Sequence, residues 1–108
     1  MIPKDKWKWF GNAGHFCGSG DCRFHLTTLV GKYIISTIGE WRPMGATKDK
    51  EIGISGFYET MVFVHAGNCE CGCGLPMMNC SEIDGLRYNK PKAATAGHNK
   101  ICLKYSKL

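Results

Sequence analysis

The residues of this chain best equipped for chemistry are its seven cysteines and four histidines, and most of them fall into two clusters. The stretch "NCECGCGLPMMNC" at 68–80 carries Cys69, Cys71, Cys73 and Cys80, and "GHNKIC" later supplies His98 and Cys102. In a reducing cytosol, clustered cysteines are more often metal ligands or catalytic thiols than disulfides. An odd number of cysteines would also leave one unpaired in any bridge framework. The spacing suits zinc. His98 and Cys102 stand four apart, so on a helix both project from one face, as the ligands of a zinc-finger helix do. The other half of a tetrahedron needs thiolates on a tight turn, and "CECGCG" offers Cys69, Cys71 and Cys73 with glycines that let the backbone curl round an ion. The expected site is Cys₃His, drawn from Cys69, Cys71, Cys73, His98 and Cys102 and holding structural Zn²⁺. Cys80, beyond Pro76 and two methionines, ranks last. Such a staple contributes on the order of 10–16 kcal/mol in small peptides.

The second cluster is His15, Cys17, Cys22 and His25 in "HFCGSGDCRFH". The residue types suit a metal, but the spacing matches no strong ligand pattern. The glycine-rich loop before it is no phosphate cradle, because it lacks a Gly-Lys-Ser/Thr ending and leads into a strand. Acid–base candidates are His15, His25, Glu40, Tyr58 and Glu59, if the fold gathers them.

The elements that must position these residues are legible in part. "RFHLTTLVGKYIISTIGEW" (23–41) reads as a β-hairpin. Phe24, Leu26, Thr28 and Val30 alternate with His25, Thr27 and Leu29, Gly31-Lys32 makes the turn, and β-branched residues follow. Residues 12–22 read as irregular loop and 42–51 as a polar connector. "YETMVFVHA" (58–66) is a strand with Tyr58, Thr60, Val62 and Val64 on one face and Met61, Phe63 and His65 on the other. "IGISGFY" before it is a weaker candidate, since glycines lower its propensity. Asn89 as N-cap and Pro91 in the first turn open a helix through "KAATAGHNKICLKY". Gly97 in its middle costs about 1 kcal/mol against alanine. The expected fold is α+β, a small antiparallel sheet with a C-terminal helix, stapled by a structural zinc site.

At 108 residues, the chain reads as a single zinc-binding domain over 1–108. Its hydrophobic fraction of 44% and charged fraction of 21% exclude the disordered class. No apolar run is long enough for a membrane helix and none follows Met1 as a leader would, so the expected location is the cytoplasm. The net charge of +5 is uneven. No acidic residue follows Asp84, while Arg87, Lys90, Lys92, Lys100, Lys104 and Lys107 do. A basic surface of this kind suits an acidic partner or a phosphate polymer. "KDKWKWF" interleaves lysines with Trp7, Trp9 and Phe10, and the simpler reading is that the tryptophans anchor the N-terminus to the core.

The blocks "GHF", "CRFHL", "STIGEW", "YETMVF", "CGCGLP" and "GHNKIC", in this order from about Trp9 to Cys102, resemble a family of small proteins encoded by phages and prophages of Gram-negative bacteria. Cys71, Cys73, His98 and Cys102 fall at positions that recur in that family. Cys17 lies in no matching block, and the 42–51 connector is shorter than in longer relatives. The resemblance implies a setting, a host bacterial cytoplasm, more than an activity. In that setting the expected function is a non-catalytic accessory protein that inhibits or redirects a host machine, for example a CRISPR-type or other antiviral defence complex. The partner would be a host protein or protein–nucleic acid complex engaged through Arg87, Lys90, Lys92, Lys100 and Lys104. The alternatives are a zinc-stabilised nucleic-acid-binding protein of phage gene expression and an enzyme using His15 and His25.

Overall fold

A computed structural model describes residues 1–10, 20–43, 45–51, 56–68, 76–78 and 83–108. After a short 3₁₀ turn at Lys4–Lys6 come strands β1 (Lys8–Phe10), β2 (Gly20–Val30), β3 (Tyr33–Pro43), β4 (Tyr58–Asn68), β5 (Pro76–Met78) and β6 (Asp84–Tyr88), then helix α1 (Pro91–Ser106). The strands form one antiparallel sheet in the order β1-β2-β3-β4-β5, with β6 also paired to β4. The expected antiparallel sheet with a C-terminal helix is therefore present. No helix among the described residues is long and apolar enough to cross a membrane.

The long hairpin of β2 and β3 turns at Gly31, whose φ of 60° is left-handed backbone that glycine takes without strain. The register pairs Val30 with Tyr33, Thr28 with Ile35 and Leu26 with Thr37. β4 continues it, with Ile35 opposite Val62 and Thr37 opposite Thr60. One sheet face thus presents Thr28, Val30, Ile35, Thr37, Thr60 and Val62 in adjacent rows. Helix α1 lies on that face and buries Ala94, His98, Ile101, Cys102 and Tyr105. Each fully buried isoleucine or valine there contributes about 1.5–3 kcal/mol. The N-terminal segment closes the side of this core. Trp7 is buried and its indole N–H donates to Ile2 O, while the Ile2 amide donates to Ser106 O at the end of α1.

Several boundaries differ from the sequence expectation. The polar connector starts later than 42, because β3 runs to Pro43, and β2 begins at Gly20, inside the expected loop. The strands β1, β5 and β6 have no counterpart in that reading. The helix N-cap is Lys90, without a side-chain cap, in place of Asn89, and Pro91 takes the first helical position as expected. Of the two tryptophans, Trp7 anchors the terminus, but Trp9 is half exposed.

Gly97 faces β6. A Cβ at this position would overlap the ring and hydroxyl of Tyr88, so the glycine admits the tyrosine directly against the helix backbone. That packing offsets the propensity cost at mid-helix. Gly39 plays the same part for Tyr58, whose ring lies over it and meets Phe24 edge-on at 5.1 Å.

Candidate functional site

His98 and Cys102 do share one face of α1, as their spacing requires, but that face looks into the sheet. The imidazole is fully buried, with Nε2 at 2.8 Å from Thr28 Oγ1 and Nδ1 at 2.7 Å from Thr37 Oγ1. Thr37 in turn bonds Thr60. One arrangement of protons satisfies the whole chain. Thr60 donates to Thr37, Thr37 to Nδ1, the Nε2–H to Thr28, and Thr28 to the Cys102 sulfur. Burial in this setting lowers His98 to about 4, so the ring is neutral at any physiological pH. Burial likewise raises the Cys102 thiol to about 11, against a smaller opposing effect of the Thr28 hydrogen bond.

This differs from the role that the i, i+4 spacing suggests. A zinc ligand offers a free imidazole lone pair and a thiolate, whereas here both His98 nitrogens lie within hydrogen-bond distance of threonine hydroxyls and Cys102 is buried in the core. Cys69, Cys71 and Cys73 lie outside the described residues, as do Cys80, His15 and Cys17. Among the described residues no group of His, Cys, Asp and Glu is arranged to hold a metal ion.

The acid–base candidates are separated by the sheet. His25 and Glu59 flank Ile38 on the face away from α1. Glu59 is buried and bonds Arg87 at 2.8 Å. Glu40, at a left-handed φ of 53°, accepts a hydrogen bond from Tyr58 Oη at 2.9 Å. His25 Nδ1, Thr27 Oγ1 and Ser36 Oγ, all on that same far face, are buried with no hydrogen-bond partner among the described residues.

The five basic residues expected to form one face are divided. Arg87 sits on the far face of β6 and pairs with Glu59. Lys104 pairs with Asp84 at 2.8 Å, and Tyr105 Oη donates to the same carboxylate. These bonds hold Asp84 below the usual carboxylate range, the Lys104 bond first. Lys90, Lys92 and Lys100 are exposed, with no ion-pair partner among the described residues. Lys100 ends a groove of about 350 Å³ between β6 and α1, lined also by Leu86, Tyr88, Ala93, Ala96 and Gly97. The sequence reading missed this groove, because it is made by a strand that the sequence does not announce. No protein-family model, curated protein or solved structure matches the chain.

Proposed function

We propose that this chain acts by binding, as an accessory protein whose surface between β6 and α1 engages an acidic site on a larger machine. The contrast between the two sides of α1 carries the reading. On the inner side, His98 and Cys102 are neutral and sealed among threonines, where neither can serve as base or nucleophile. On the outer side an apolar groove opens beside Lys100, and Lys92 stands exposed in the first turn of the same helix. In the phage setting implied by the resemblance, that machine is a host protein or a protein–nucleic acid complex, including a CRISPR-type or other antiviral complex, which the protein inhibits or redirects. The zinc staple enters this reading only as a proposal about Cys69, Cys71 and Cys73, and metal analysis of the purified chain tests it.

The test is recovery of a partner from host lysate by the wild-type chain and by a Lys92→Glu/Lys100→Glu variant with an unchanged melting temperature. The reading expects a defined partner on the first and its loss on the second. Equal recovery by both, or none by either, contradicts it.

Trp9 favours a second reading, direct binding of single-stranded nucleic acid. Its indole is 50% exposed and rests 5.9 Å from the His98 ring, so a base could stack on its outer side. A salt-dependent mobility shift abolished by Trp9→Ala would support it, and no shift at low salt would remove it.

A further inference from the structure

The edge of β6 adds what the groove alone lacks. β6 pairs with β4 on one side and has no strand partner on its other side among the described residues. Its outer backbone amides and carbonyls form a template for a further strand. Residues of β6 alternate between faces. Leu86 and Tyr88 point toward α1 and line the groove, while Arg87 points to the far face. A strand laid antiparallel or parallel along β6 would place every second side chain in the groove and the intervening ones beside Arg87.

The chemistry of the two faces differs. The groove side offers Leu86, which is 49% exposed, and the small surfaces of Ala93, Ala96 and Gly97, which let a partner backbone approach the helix closely. Tyr88 Oη in its wall is buried and without a hydrogen-bond partner among the described residues, a hydroxyl that an incoming acceptor would satisfy. The far side offers a guanidinium with five donors, of which Glu59 uses only part. Lys100 closes one end of the groove, and Lys90 and Lys92 stand at the start of the helix. The one carboxylate on β6, Asp84, is already bound to Lys104 and Tyr105. This short, charged edge disfavours indiscriminate pairing and favours a strand of opposite charge.

We infer that β6 takes up an extended acidic peptide of a partner protein by strand addition, its apolar residues alternating with carboxylates so that the former fill the β6–α1 groove and the latter meet Arg87 on the far face. This rests on the binding reading above and specifies the partner class.

The probe is a synthetic peptide in which glutamates alternate with leucines and valines, titrated against the full chain by fluorescence anisotropy. Backbone amide exchange is followed by NMR. The inference expects saturable binding on the order of 10 µM, weakened by salt, with slowed exchange at those β6 amides that do not face β4. A peptide with lysines for glutamates, and one with a central proline, should each bind at least about tenfold more weakly. Leu86→Asp should lose the peptide while keeping its melting temperature. Three outcomes overturn the inference: equal affinity for the glutamate and lysine peptides, binding without protection of β6, or a chain whose β6 amides are already protected in a self-associated dimer. A short single-stranded oligonucleotide that binds where the peptide does not would also overturn it, yet leave the broader binding reading standing. Loss of the lysate partner in Lys92→Glu/Lys100→Glu tests that reading independently.

Discussion

Lowering the pH should destabilise this protein in a window set by His98. In the unfolded chain the imidazole takes a proton near 6.5, whereas in the folded chain burial delays protonation to about 4. Between these values the unfolded state binds the extra proton, so stability falls as pH falls through 6.5 and levels off below about 4. The gap converts to about 3 kcal/mol at full extent, a large share of the 5–15 kcal/mol typical of a small domain. The loss has a clear origin. A charged ring would sit fully buried, stripped of its hydration, with only threonine hydroxyls to face it. Urea titrations from pH 8 to pH 4 read this as a fall in midpoint of roughly 1–2 M. Asp84 contributes mainly lower, since it is held below its ordinary value. His98→Gln, which cannot titrate, should be less stable at pH 8 but nearly flat across the same window. A wild-type midpoint that does not move between pH 6.5 and 4, or an equal slope in His98→Gln, would refute the reasoning.

Three further outcomes follow from the packing. Gly97→Ala should destabilise by about 1–2 kcal/mol despite its better helix propensity, because the Tyr88 ring must leave the helix; in a Tyr88→Ala background the same change should turn stabilising by about 1 kcal/mol, a reversal that a double-mutant cycle detects. Gly39→Ala should cost at least as much through the Tyr58 ring, and near-ultraviolet circular dichroism should report the displaced tyrosine. Cys102→Ser should stay folded, losing about 1–2 kcal/mol in a thermal melt, since a hydroxyl keeps the Thr28 contact; global unfolding would instead mark Cys102 as a metal ligand.

What could be read from the chain was local. The β2–β3 hairpin is visible because its alternation of Phe24, Leu26, Thr28 and Val30 is clean and Gly31 marks the turn. Helix α1 is visible because Pro91 opens it and small and basic residues fill it. β6 is hidden because "DGLRY" is short and holds a glycine, and its pairing partner Tyr58–Val62 lies far upstream. The spacing of His98 and Cys102 correctly put them on one helical face. What that face meets depends on Thr28 and Thr37, which lie 61 to 70 positions earlier in the chain, so spacing alone does not separate a metal from a hydroxyl network. The same holds for charge. Arg87 and Lys104 look unopposed in sequence, but the sheet brings Glu59 and Asp84 to them. Gly97 announced an unusual need without naming it, and the need turned out to be a tyrosine ring.

The inner face of α1 is a hydrogen-bonded pin, and nitrogen-15 NMR of the His98 ring tests this most directly. The account predicts a neutral ring protonated at Nε2, unchanged from pH 8 to about pH 5 and indifferent to added zinc or chelator. A ring that titrates near pH 6.5, or whose nitrogen shifts change when metal is added or removed, would contradict it.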